Sequence, residues 1–265
     1  MKTVIIIPAR YASTRYPGKP LVELALPDGS RKSLIELSWM AASRVQGVDA
    51  VYVATDDDRI RDAAIGFGAQ VIMTSSECRN GTERCAEAVK NAGLDADLIV
   101  NLQGDAPLTP HWFVEDLIVA MKSDSAAEMA TPVLRLDRLT YGHFTTDRKN
   151  GRVGGTTAVF DVNHHAIYFS KEVVPFMDIA KWPDDAPLPV YHHVGVYAYT
   201  PAALENYISW PESTLEQLEG LEQLRFLANG RTVKCVEVDG RGRVFWELNN
   251  PEDVARIEQV IGETL

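Results

Sequence analysis

Cysteine is scarce in this chain, with three in 265 residues and no C-x-x-C pair. Cys78, Cys85 and Cys235 therefore indicate neither a disulfide framework nor a zinc site, and reduced structural thiols are expected. Long apolar runs are also missing. Nothing approaches the ~20 residues of a membrane-spanning helix. The opening apolar run, preceded by one lysine and ended by Pro8, is too short for the core of a signal peptide. A cytoplasmic protein with no membrane contact is the expectation. Positive charge is in deficit, with 26 Lys and Arg against 37 Asp and Glu and a net charge of −11. That balance argues against nucleic acid as a partner, because such binding needs an excess of positive surface to release counterions. No linker or internal repeat divides the chain. A dinucleotide fingerprint is absent too: Gly66-Phe67-Gly68 falls between a helix and a strand, the reverse of the required order, and reads as a helix stop.

What the chain does have is an ordinary globular composition, 46% apolar and 24% charged, compatible with one large α/β domain. Val4 to Ile7 is a β-branched run with no polar interruption, expected as a strand of a parallel sheet buried on both faces. It stops at Pro8. The following segment to Pro20 holds Arg10, Arg15 and Lys19 among prolines, hydroxyls and a glycine, so it must be a loop at the strand's carboxyl end, where open α/β sheets bind ligands. No acidic residue occurs before Glu23. The result is a local positive site on a negative molecule, suited to a polyphosphate; the plainer alternative is a solvated basic turn.

Further along, Ser33 to Glu36 has the capping-box form and predicts a helix to about Val45, ending at Gly47. Strands are predicted at Ala50–Thr55, Gln70–Met73 and Leu98–Leu102, with a helix through about Gly68 between the first two. Asp56, Asp57 and Asp58 fall between a strand end and a helix start, where acids cap and complement the dipole. Asn80-Gly81-Thr82 opens the next helix and can offer backbone N–H groups to a base edge or phosphate. Gln103-Gly104-Asp105 follows the third of these strands. An acid beside a glycine there suits a Mg²⁺ held between protein and phosphates, or else simply a turn. Thr109-Pro110 predicts a helix with proline at its first position. Residues 135–147 are polar and aperiodic, 177–189 form a loop, and Val190–Tyr199 is one strand with His192 and His193 on opposite faces. A short helix follows Pro201 and a longer one contains Leu221 to Arg225. If Val244 to Asn249 is a strand, Glu247 and Asn249 share a face. Pro251 then starts a helix with Glu252 and Asp253 in its first turn.

The run Pro8-Ala9-Arg10-Tyr11 to Leu21, of the form PARYxSTRxPGKPL, resembles the CMP-Kdo synthetase family, which activates 3-deoxy-manno-octulosonate (Kdo) and related sugar acids with CTP. ATDDDR, NGTER, QGDAP, AIYFSK, HHVGVYAY, LEQLR and LNNPED follow in the order of that family's motifs. The resemblance implies a three-layer α/β domain with a mostly parallel sheet, of the nucleotide-diphospho-sugar transferase type. Residues 1–134 would bind nucleotide, 135–200 would cover the sugar and build a homodimer, and 201–265 would complete the site. It implies that Arg10, Arg15 and Lys19 hold the triphosphate and act in catalysis with Asp105. Pro8, Ala9, Asp56, Thr74, Ser75, Gly81, Thr82, Gln103 and Gly104 would line the nucleotide. Gln103, Lys171, His193, Tyr197, Glu222 and Gln223 would line a small acidic sugar. Mg²⁺ would sit on Asp105 and Asn249, with Glu247 as the substitute. The chain departs from the family at Asn80 for serine, Ala106 for an acid, Thr157 for lysine, Lys171 for arginine and Asn249 for aspartate. Lysine holds a carboxylate only as a point charge. The implied activity is transfer of CMP from CTP to the anomeric hydroxyl of a 2-keto-3-deoxy sugar acid, for bacterial surface polysaccharide. Three alternatives stay open: another ulosonic or non-sugar acid as acceptor, a sugar-phosphate nucleotidyltransferase using UTP or another nucleoside triphosphate (against which the missing GGxGTR opening argues), and a catalytically silent nucleotide-binding homologue.

Overall fold

The computed structural model describes residues 1–12, 16–153, 155–242, 248, 251 and 253–264. Its first half alternates strand and helix. A buried strand β1 (Thr3–Ala9) precedes a small hairpin, β2 (Glu23–Ala25) and β3 (Arg31–Ser33), and then α1 (Leu34–Ser43), β4 (Ala50–Thr55), α2 (Asp58–Gly66) and β5 (Gln70–Met73). Next come α3 (Gly81–Asn91), β6 (Leu98–Leu102), α4 (His111–Ser123), β7 (Met129–Arg135) and α5 (Arg138–Lys149). The second half holds β8 (Thr157–Phe160), β9 (Ala166–Ser170), β10 (Tyr191–His193), β11 (Val196–Tyr199), α6 (Pro201–Ser209), α7 (Thr214–Glu219), α8 (Leu224–Ala228), β12 (Val233–Val238) and α9 (Asp253–Thr264).

All seven residues of β1 are buried, because it pairs in parallel with β4 on one side and β6 on the other while helices cover both faces. Alternation along the strand decides which layer each residue meets. Ile5 and Ile7 join a core with Ile35 of α1, Ile60 of α2 and Phe113 of α4; Val4 and Ile6 join another with Cys85 of α3, Leu204 of α6 and Phe226 of α8. This is the expected three-layer α/β architecture. The sheet runs β5-β4-β1-β6-β11-β7-β10-β8-β9, with β12 parallel to β7. Its β5-β4-β1-β6 portion is parallel, whereas β10 and β11 run antiparallel to their neighbours. A separate apolar cluster docks α9 on the hairpin through Leu24, Leu34, Leu248, Ile257 and Ile261. Among the described residues no helix is long and apolar enough to cross a membrane.

The structure amends several local expectations. The aperiodic stretch after 135 is largely helix α5: the Asp137 side chain accepts the Thr140 N–H, and Tyr141 and Phe144 reach a small core with Leu188 and Val190. Pro110 is the residue before α4 rather than its first helical residue. The segment 190–199 is interrupted at Val194-Gly195, so β10 and β11 pair with different stretches of β7. The long helix expected around Leu221 is instead two short ones: Gly220, at φ 61°, ends α7, and α8 begins only at Leu224. The strand proposed for 244–249 lies outside the described residues.

Candidate active site

The parallel strands deliver their loops to one edge, and the order of strands locates the ligand crevice there. From β1 the chain moves to β4 and β5 on one side, then returns to place β6 on the other. That reversal opens a crevice beyond the carboxyl ends of β1 and β6, the usual ligand position in such sheets. Lys19 and Asp105 face each other across it, Nζ to Oδ2 at 2.6 Å, both largely shielded from solvent. Gly18 sets Lys19 in place: at φ 71° it donates its N–H to the Tyr11 carbonyl, and a Cβ there would meet the Tyr11 ring at 3.1 Å. Gly104 brings the other lip close, since a Cβ would fall 3.0 Å from the Pro8 carbonyl oxygen. The Ser38 hydroxyl, from α1, donates to the Gly104 carbonyl. Leu248 donates its N–H to the Asp105 carbonyl at 3.0 Å, tying the C-terminal segment to the same turn. Arg10 is exposed at the rim, its guanidinium 3.4 Å from the Arg79 carbonyl oxygen. Arg15, Glu247 and Asn249 lie outside the described residues.

Asp105 supplies a carboxylate oxygen of the kind a hard cation such as magnesium takes. No group of three or more His, Cys, Asp and Glu comes together among the described residues. Magnesium keeps water and commonly takes one or two carboxylates plus substrate phosphates. Asp105 already faces a cation, the Lys19 ammonium, in a partly shielded crevice, so a divalent ion beside phosphates fits its chemistry.

A second group gathers around Arg84 of α3, which is buried. Its Nη1 donates to the Thr74 hydroxyl at 2.5 Å, lies 3.4 Å from the Ser75 carbonyl oxygen, and sits 3.4 Å from Asp56. Asp56, Thr74 and Ser75 are thus brought together by a residue that had no assigned role; the last position of the NGTER motif was the signal for it. Asp57, next to Asp56, is a helix cap whose pKa is lowered by its bond to Arg59.

The third group lies where α3 begins. Asn80 caps the helix, its Oδ1 accepting the Glu83 N–H. Both groups that Thr82 could offer a ligand are engaged within the protein: its N–H donates to Glu222 Oε2 at 2.9 Å and its hydroxyl bonds the Tyr199 hydroxyl at 2.7 Å. Gly81 packs so closely that a Cβ would lie 2.7 Å from Gln103 Nε2. Gln103 Nε2 in turn donates to Glu222 Oε1 at 3.3 Å, so Gln103 joins the crevice to this third group. Burial pushes the Glu222 carboxyl above the usual range. Asn101, in β6 and fully buried, also went unassigned; neither its amide nitrogen nor its oxygen has a hydrogen-bond partner.

Behind this group the Tyr197 hydroxyl donates to Gln223 Oε1 at 3.2 Å, and Gln223 Nε2 is buried without a partner. His193 is 5% exposed, its Nε2 2.9 Å from the Thr131 hydroxyl and its ring against Phe169 and Tyr197. Burial pushes its pKa down to about 3 and that of His192 down to about 4, so both are neutral. Lys171 sits at the end of β9. Its N–H donates to Glu219, and its ammonium lies 2.9 Å from where a Cβ on Gly220 would be, beside the Glu222 segment.

The chain matches the cytidylyltransferase family model over residues 4–234. It is 43% identical over 261 residues to the 3-deoxy-manno-octulosonate cytidylyltransferase of Maricaulis maris (strain MCS10), covering 98% of this chain and 97% of that one. It is 38% identical over 261 residues to the 8-amino-3,8-dideoxy-manno-octulosonate cytidylyltransferase of Shewanella baltica (strain OS185), covering 98% of each. The solved structure of a CMP:2-keto-3-deoxy-manno-octonic acid synthetase complexed with CTP superposes with a TM-score of 0.83, at 33% identity and full coverage of both chains.

Proposed function

The chain belongs to the cytidylyltransferase family and, within it, to the CMP-Kdo synthetases, and from that premise we propose that it transfers CMP from CTP to the anomeric hydroxyl of Kdo or of its 8-amino relative. The observation that carries this reading is the Lys19–Asp105 pair across the β1/β6 crevice, in a chain similar over its whole length to a synthetase complexed with CTP. In the reaction the hydroxyl oxygen bonds to the α-phosphorus, the α–β phosphoanhydride bond breaks, pyrophosphate leaves and the hydroxyl proton passes to solvent. The protein's part is to align the two reactants and to neutralise charge. Lys19, Arg10 and Arg15 hold the triphosphate, and Asp105 with Asn249 or Glu247 would hold Mg²⁺. When bound, that ion neutralises phosphate charge and makes the hydroxyl more acidic. Gln103, Glu222 and Gln223 take the sugar hydroxyls, with Tyr197 and His193 supporting them from the sheet. Lys171 takes the carboxylate at the rim.

Incubation with CTP, Mg²⁺ and each of Kdo and 8-amino-Kdo, following pyrophosphate, tests this reading. Release with either sugar acid supports it; release with neither, while CTP binds, contradicts it. The 135–200 excursion is proposed to build the homodimer, and Phe176, 94% exposed within it, is the residue whose change probes that role. Sedimentation velocity of the wild type against Phe176→Asp checks this. Consumption of CTP fits a cytoplasmic location.

A further inference from the structure

The Asn80 side chain is long enough to make two bonds at once, and it completes a closed circuit of polar groups joining α3 to α6, α7 and α8. Its Oδ1 accepts the N–H of Glu83, while its Nδ2 donates to the Tyr207 hydroxyl of α6 at 2.9 Å. That hydroxyl donates to Glu216 Oε1 of α7 at 3.1 Å. Glu216 is held by Arg225 of α8 through two bonds, Nε to Oε2 at 2.7 Å and Nη2 to Oε1 at 2.6 Å. Arg225 Nη1 returns to Glu83 Oε1 at 3.4 Å, and its guanidinium lies 4.0 Å from the Tyr207 ring centroid. Arg225 and Glu216 are 1% and 4% exposed. A buried ion pair is weak evidence for stability, because desolvation offsets most of its attraction; its best-attested use is to fix register between elements.

The register fixed here is between the first turn of α3 and the segment carrying Glu222 and Gln223, just before Arg225. Glu222 makes its own bonds to Thr82 and Gln103 across the same junction. We propose that Asn80 is a positioning residue: by bonding Tyr207 while capping α3, it locks the Glu216–Arg225 pair to the nucleotide-side turn and so holds Glu222 in place for the acceptor. A serine at this position still caps the helix, but its hydroxyl is too short to reach Tyr207 at the same time. The proposal rests on the reading that Glu222 contacts the sugar acid.

The test uses Asn80→Ser, which keeps the cap, Tyr207→Phe, which keeps the ring, and the double variant. The expected result is an acceptor KM raised about fivefold in Asn80→Ser, the worth of one buried hydrogen bond, and about tenfold or more in Tyr207→Phe, which also loses the bond to Glu216. The KM for CTP and kcat should stay within about twofold, and the double variant should be no worse than Tyr207→Phe alone. Unchanged acceptor KM in both single variants overturns the proposal, even with a lowered Tm, and so do effects that multiply in the double variant. Glu222→Ala separates the layers of the argument. If it leaves acceptor KM unchanged, the sugar-site reading itself fails; if it raises KM while Asn80→Ser and Tyr207→Phe do not, only the circuit's role fails.

Discussion

Replacing Gly104 by alanine probes how closely the two lips of the crevice must approach. The added Cβ would sit 3.0 Å from the Pro8 carbonyl oxygen and 3.3 Å from Ile35 Cδ1, against the 3.4 Å at which ordinary contact begins. Pro8 belongs to β1 and pairs there with Ala54 of β4, so that backbone oxygen cannot turn away as a flexible side chain could. The turn bearing Asp105 must therefore move by a few tenths of an ångström. Overpacking of this kind costs about 1–3 kcal/mol of stability. On the scale where a 1 Å misplacement costs about a hundredfold in rate, kcat should fall about five- to tenfold. Thermal unfolding and steady-state pyrophosphate release measure both effects. Gly142→Ala is the control: that site in α5 has no atom within 4 Å of the added methyl, and a helix interior favours alanine, so its Tm should hold or rise. Wild-type kcat and Tm in Gly104→Ala would refute the claim that glycine is needed for the approach of the two lips.

Other perturbations have defined outcomes. Asp105→Asn removes the carboxylate facing Lys19 and should lower Mg²⁺-dependent turnover by about a hundredfold or more, while CTP binding measured calorimetrically without metal is unchanged or tighter. His193 has its folded pKa depressed to about 3 from an ordinary 6.5, so the unfolded chain binds the extra proton and stability falls as pH drops through that window. At pH 5 the loss is roughly 2 kcal/mol, and denaturation of His193→Gln at pH 7 and pH 5 should show a shallower acid dependence than wild type. Gly81→Ala pushes Gln103 away from Glu222 and should raise the KM for the sugar acid more than it lowers kcat, read from initial rates at saturating CTP.

Legibility in the sequence followed how much of an element is buried. β4, β5 and β6 are short apolar runs bounded by turn residues, and their boundaries match the observed strands; β1 instead continues through Pro8, the expected stop, to Ala9, because Pro8 and Ala9 still pair with Ala54 and Thr55 of β4. α5 left little trace because only Tyr141 and Phe144 of its twelve residues are buried and Gly142 sits inside it. The segment around Leu221 has the pattern of an amphipathic helix, but the left-handed Gly220 and the turn after it override local preference. β12 has alternating burial, yet its place beside β7 depends on a pairing about a hundred residues away in the chain. At the site, the placing of Lys19 and Asp105 at the carboxyl ends of neighbouring strands was legible from motif and charge. The inward engagement of Thr82, the gathering of Asp56 and Thr74 around Arg84, and the circuit through Tyr207 were not, because each joins side chains on separate elements.

The most direct test of the account is a crystal structure of this protein with CTP and Mn²⁺, with the metal located by anomalous scattering. The account predicts the triphosphate in the crevice between β1 and β6, in contact with Lys19, and the anomalous peak on a carboxylate oxygen of Asp105. A triphosphate bound elsewhere, or a metal peak distant from Asp105, would contradict it.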